Sequence, residues 1–280
     1  SWMDKISKKN QMIKKRINQL RSKFKEYNID GYIVPKNDEF FSEYSQRDRL
    51  RTISNFSGSA GFAIILKNKN FLFVDGRYTI QAQIESGKEF KIIDFGKIIN
   101  CNLFKNLTLG IDTKLFTSLQ VRKYFSKYNF IKEIKINLID SIYDKYQTKS
   151  KSFFSLDKNI VGESHINKIK KVSNFLKKNK LNYLFISAPE NVAWLLNIRG
   201  YDNPNSPIPN CRLLINDEKK IFLISRKNKT KYLINEKRIR KRNIIHPENF
   251  ELFIKKLKKG KIVIDDKSCS IFYEKMFKKR

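Results

Sequence analysis

The chain has 280 residues, enough for about two domains at roughly 150 residues each. Hydrophobic residues make up 40% of it and aromatic residues 13%, with 22 Phe and 12 Tyr, which excludes a wholly disordered chain. Lys and Arg number 59 against 27 Asp and Glu, a formal charge of +32.

Lys5 to Tyr27 reads as a helix, because Ile6, Ile13, Ile17, Leu20 and Phe24 approximate a helical period between Lys and Arg. A turn at Asn28–Gly31 leads to a buried strand, Tyr32–Val34, ending at Pro35. Phe62–Leu66 and Phe71–Val74 flank Lys67–Asn70, the pattern of a β-hairpin. Tyr78–Ile84 reads as helix, Phe90–Ile93, Leu107–Ile111 and Ile131–Ile136 as strands, and Leu115–Tyr128 as a helix between the last two. The polar run at Gln147–Asn159 reads as a linker. Beyond it the alternation restarts: helix His165–Lys178, strand Tyr183–Ser187, helix Pro189–Asn197, hairpin Arg212–Ile215 and Ile221–Ile224, helix Phe250–Leu257, strand Ile262–Ile264, helix Cys269–Lys279. The two halves share one plan. The class is α/β, two copies of one small fold at 1–150 and 151–280, each a mixed sheet flanked by helices.

The apolar runs fall short of the ~18–20 residues that span a membrane, and the basic first 25 residues contain no apolar core of a signal peptide. Ser1-Trp2 before Met3 reads as a cloning remnant. Cys101, Cys211 and Cys269 are widely spaced, which points to free thiols in a reducing cytoplasm. The basic residues occur in every helix-like segment and follow no helix-turn-helix, RNP or Cys/His-finger pattern, so no specific nucleic-acid partner is expected. Two other readings of the charge are a Lys-, Asn- and Ile-rich lexicon scattered over solvated surfaces and a basic part of a larger protein with an acidic remainder.

Catalytic chemistry is hard to place. His165 and His246 have no metal-ligand spacing and read as surface histidines. Ser57–Gly61, "SGSAG", lacks the spacing of a nucleophile elbow or a phosphate loop and reads as a tight turn that needs Gly58 and Gly61. Asp75 in Asp75-Gly76-Arg77-Tyr78 reads as a helix N-cap with an ion pair to Arg77. Asn197–Pro209 reads as a rigid polar loop, a connection or a surface for another domain, and Trp194 as core.

These motifs converge on a family. Arg49–Ala82, "RLRTISNFSGSAGFAII…FLFVDGRYTIQA", with Ser42–Tyr44 before it, and later Gly162–Ser164 and "NVAWLLNIRGYDNPNSPIP" (Asn191–Pro209), resemble in order and spacing the front part of Xaa-Pro aminopeptidases of the aminopeptidase P type. The resemblance implies two creatinase-type domains ahead of a catalytic domain that holds two Mn or Zn ions, and none of the metal-ligand positions lies in this chain. It implies no catalytic and no metal-binding residue here. It marks Phe56, Gly58, Ser59, Gly61, Asp75, Gly76, Arg77 and Tyr78 as a motif turn and cap. It marks Arg49, Arg51, Trp194, Arg199 and Asp202 as contacts to a partner's active site or another domain, with the segment Arg49–Phe56 reaching toward the partner. Implied partners are the protein's own catalytic domain and a second subunit in a cytoplasmic homodimer, with no membrane. The chain departs from the family pattern at Thr52 (an aromatic there), Asn55 (Gly), Tyr201 (a small residue) and Asn205 (His). Two rival readings stand beside this one: a catalytically dead peptide- or protein-binding module, and a basic protein that associates with RNA non-specifically.

Overall fold

The structure is a computed structural model that describes residues 1–100, 102–146 and 151–280. Cys101 and the first part of the expected linker, 147–150, lie outside the described residues. The chain divides into two compact units, Ser1–Gln147 and Thr148–Arg280.

In the first unit, α1 (Trp2–Arg21) buries Ile13, Ile17 and Leu20 and is followed by the single turn α2 (Phe24–Tyr27). The expected continuous helix is thus interrupted at Ser22–Lys23, and Ile6 is exposed rather than core. Next come β1 (Gly31–Pro35), α3 (Arg49–Ser54), β2 (Gly61–Leu66), β3 (Asn70–Val74), α4 (Thr79–Ser86), β4 (Lys91–Asp94), β5 (Thr108–Ile111), α5 (Ser118–Tyr124) and β6 (Phe130–Glu133). The helix expected over Leu115–Tyr128 is shorter because Asp112 first holds a separate 3-10 turn and Thr117 then caps α5 with Gln120 in a reciprocal box.

The six strands lie in the order β4-β3-β2-β1-β5-β6. Pairing is antiparallel from β1 through β3 and parallel elsewhere. Both faces are buried, which is why the hairpin strands are apolar without alternation. Ala63, Ile65, Leu72 and Val74 point into the core with α1 and α3. Phe62 and Phe73 take the opposite face, stacked at 4.9 Å, with Phe95 and Phe125 edge-on to Phe62.

The second unit contains β7 (Phe154–Ser155), α6 (His165–Lys178), β8 (Tyr183–Ile186), α7 (Pro189–Leu196), β9 (Ile198–Arg199), β10 (Arg212–Asn216), β11 (Ile221–Ile224), α8 (Lys231–Asn235), β12 (Ile244–Ile245), α9 (Phe250–Lys256), β13 (Ile262–Ile264) and α10 (Ile271–Lys278). Its main sheet runs β12-β11-β10-β8-β13, and β7 pairs with β9 in a separate ribbon. The sheet is sandwiched like the first. Leu213, Ile215 and Leu223 face one core and Phe185, Leu214 and Ile224 face the other, against α9 and α10.

The expected linker ends too late. Phe153 is fully buried, its N–H donates to Lys229 O at 2.8 Å, and β7 follows directly, so the chain is already part of the second unit there.

Candidate functional site

The motif of the first unit is built by α3, the β2–β3 hairpin and the start of α4. The Asp48 side chain accepts from Arg51 N at 3.0 Å and starts α3. Asn55 ends it in a left-handed conformation, φ 67°. The family's Gly is thus replaced by one of the few side chains that tolerate this shape. Phe56 is fully buried and meets Tyr78 edge-on at 6.1 Å. A Cβ on Gly58 would sit 2.2 Å from the Phe56 ring, and one on Gly61, at φ 153°, would sit 2.6 Å from Phe73 O. Ser59 Oγ and Tyr78 OH share a hydrogen bond of 2.8 Å across the turn. Ser57 Oγ donates to Glu85 Oε2 at 2.7 Å and accepts from Gln81 Nε2 at 2.8 Å.

Asp75 caps the 3-10 turn at Gly76–Tyr78 that precedes α4. Its Oδ1 accepts from Arg77 N at 2.9 Å and from Arg77 Nε at 3.0 Å, which holds the carboxyl below its ordinary range. Gly76 is exposed, and a Cβ there would meet Asp94 Oδ2 at 2.8 Å.

The residues assigned to contacts divide into two groups. Arg49 is engaged inside its own unit. It is buried, and it donates from Nε to Asp140 Oδ1 at 2.8 Å and from Nη2 to Asp140 Oδ2 at 2.9 Å. Thr52 is also buried. Its hydroxyl shares a 2.8 Å hydrogen bond with Tyr146 OH, and burial pushes that phenol up to about 12. Arg51, by contrast, is exposed.

In the second unit, Asp202 forms an ion pair with Lys229 and accepts from Asn210 N at 2.7 Å, which ties the Pro-rich loop down. Arg199 donates to Ile198 O at 2.7 Å and Ala193 O at 3.3 Å. Trp194 corrects its sequence reading: it is 57% exposed, not core. It shares the outer face of α7 with the exposed Glu190 and Asn191, while Val192, Leu195 and Leu196 turn inward. The Lys168 ammonium lies 4.3 Å from the Trp194 ring centroid. Tyr201 is exposed against Phe154, and Asn205 takes a left-handed conformation in the same loop.

The histidines separate as well. His246 accepts from Glu248 N at 3.2 Å in a local cap. His165 is half-buried rather than a free surface residue, and its Nδ1 accepts from Arg238. Burial, and then the Arg238 charge, pull its imidazole down to about 4. Among the described residues, no group of three or more His, Cys, Asp or Glu side chains is placed to hold a metal ion. No helix among the described residues is long and apolar enough to cross a membrane.

Sequence reasoning missed α3, Asp140 and Tyr146. Asp48 as a cap was the one local signal for α3. Asp140 and Tyr146 lie more than ninety positions in sequence from Arg49 and Thr52, which they meet.

Two α/β units of matching plan, each with a central mixed sheet covered by helices, define a pair of creatinase-type domains. Family models described as Creatinase/Prolidase N-terminal domain match residues 16–134 and 144–280. The chain belongs to the Creatinase/Prolidase N-terminal domain family. It is 33% identical over 209 residues to a probable Xaa-Pro aminopeptidase P of Laccaria bicolor, covering 69% of this chain and 33% of that one. It is 30% identical to Xaa-Pro aminopeptidase 1 of Dictyostelium discoideum, covering 74% of this chain and 37% of that one. The chain thus spans about a third of the length of these curated relatives. A crystal structure of the Caenorhabditis elegans X-prolyl aminopeptidase, described as a cytosolic enzyme with a di-nuclear active site, has the same fold over 86% of this chain and 44% of that chain. Its TM-score is 0.76 and its identity 22%.

Proposed function

We propose that the chain supplies the non-catalytic N-terminal and middle domains of a cytoplasmic Xaa-Pro aminopeptidase, which removes the residue ahead of proline from a peptide N-terminus. The two domains serve substrate gating and subunit assembly in a homodimer. The observation that carries this reading is where the motif side chains lie. Arg49, Asp75, Tyr78 and Asp202 build turns, caps and ion pairs within their own units, while Arg51 and Trp194 are exposed. Such an arrangement shapes a surface. In this reading the two Mn or Zn ions are held by the catalytic domain. The positive charge is a diffuse surface property without a dedicated nucleic-acid site.

The experiment is to assay the purified chain on an Xaa-Pro peptide with added Mn, alone and mixed with the catalytic domain of the Dictyostelium relative. No turnover by the chain alone, and at least an about tenfold gain when it is mixed with that domain, are expected. Metal-dependent turnover by the chain alone, or no gain on mixing, overturns the reading.

A further inference from the structure

Most of the positive charge is spread over both units, but one stretch departs from that. β1, β2, β3, β4 and β5 of the first unit match β8, β10, β11, β12 and β13 of the second in order and in direction of pairing. The chain from β3 to β4 and the chain from β11 to β12 are therefore equivalent crossovers between parallel strands. The first, residues 75–90, carries two basic and three acidic residues. The second, residues 225–243, carries nine Lys or Arg and a single acid, Glu236. A lysine-rich composition acts on both crossovers alike, so it does not account for the difference.

The second crossover is folded rather than loose. It runs through the 3-10 turn Lys227–Lys229, α8 and the 3-10 turn Lys241–Asn243. Thr230, Leu233 and Ile239 are buried, the last two in the core with Val192 and Leu195. Two of its cations turn inward: Lys229 to Asp202, and Arg238 to His165 Nδ1 and to Leu156 O at 3.2 Å. Glu236 accepts from Ser155 N at 3.2 Å. The other seven cations are exposed, and none of them has a carboxylate partner among the described residues. The guanidinium forks of Arg226, Arg240 and Arg242 engage no described residue at all. Like charges at this density repel one another, and an anionic partner relieves that repulsion.

We propose that the β11–β12 crossover is a docking surface for an acidic polypeptide segment, rich in Asp and Glu, on a partner protein. The forks of Arg226, Arg240 and Arg242 match carboxylates at two points each, and the exposed lysines beside them add attraction at longer range. A nucleic acid is the weaker match, because Tyr232 is the one aromatic residue of the crossover and offers no run of rings for bases to stack on. A second copy of this chain fits poorly, because it brings a charge of +32 to the same surface. Nothing in this recognition depends on aminopeptidase activity.

The probe is a capped synthetic peptide of ten glutamates, followed by anisotropy at physiological salt. The control is a single-stranded RNA of ten nucleotides, which carries about the same charge. Two variants of the full chain lose three charges each. One carries Arg226→Gln, Arg240→Gln and Arg242→Gln on the crossover, and the other Lys170→Gln, Lys177→Gln and Lys178→Gln on the exposed face of α6. Circular dichroism checks both for an unchanged fold. The peptide should bind the parent, and the RNA should bind it no more tightly. The crossover variant should weaken peptide binding by about tenfold or more, and the α6 variant by less than about threefold. Three results overturn the proposal: no peptide binding, equal weakening by the two variants, which is diffuse attraction only, or RNA bound about tenfold or more tightly than the peptide, which makes the surface one for nucleic acid.

Discussion

Arg49 and Asp140 meet in a two-point ion pair, Nε to Oδ1 at 2.8 Å and Nη2 to Oδ2 at 2.9 Å, that ties α3 to the segment after β6. The guanidinium is buried, so losing its partner leaves a charge without water. Asp140→Ala should cost about 3 kcal/mol, and Arg49→Lys somewhat less, because an ammonium cannot reproduce the fork. Urea unfolding checks this. An Asp140→Ala variant as stable as the parent would show that the pair contributes nothing.

Gly61→Ala should destabilise the first unit by about 2 kcal/mol or more, since the added carbon meets Phe73 O and the backbone sits where side chains strain. Tyr78→Phe, which removes only the hydrogen bond to Ser59, should cost about 1 kcal/mol. Thermal melts of both variants give the ranking, and the reverse order would contradict the geometry.

His165 makes stability depend on pH. Its folded value, about 4, lies below the unfolded value of about 6.5, so the unfolded chain binds the extra proton between the two. The stability it contributes is complete above pH about 6.5 and is lost as pH falls toward about 4. His165→Asn should flatten the fall of Tm over that window relative to the parent. Parallel curves for the two proteins would exclude His165 as the source.

Limited proteolysis should cut first at 147–152, between the two compact units, and leave two resistant fragments. Cleavage later than this is disfavoured by the buried Phe153 and by β7. A first cut inside the β2–β3 hairpin would place the boundary wrongly.

The hairpins, the long amphipathic helices and the alternation of the two halves were legible because each is a local pattern of apolar residues. Trp194 was misread because its helix is apolar in sequence on both sides of it. The helical period pairs it instead with Glu190 and Asn191, whose polarity marks the outer face. α3 was missed because six residues, Arg49–Ser54, are too few to show a period. The inward turn of Arg49 and Thr52 depends on Asp140 and Tyr146, which only the closed sheet brings near.

The strand order has a consequence for synthesis on the ribosome. β1 through β4, residues 31–94, are neighbours in both chain and sheet and can assemble as they emerge. The other side of β1 waits for β5 at Thr108–Ile111, and β5 for β6 at Phe130–Glu133. Until those strands leave the exit tunnel, the nascent chain carries the raw flank of Gly31 and Tyr32, a template for wrong pairing. Slowed translation between residues 94 and 133 would prolong that exposure.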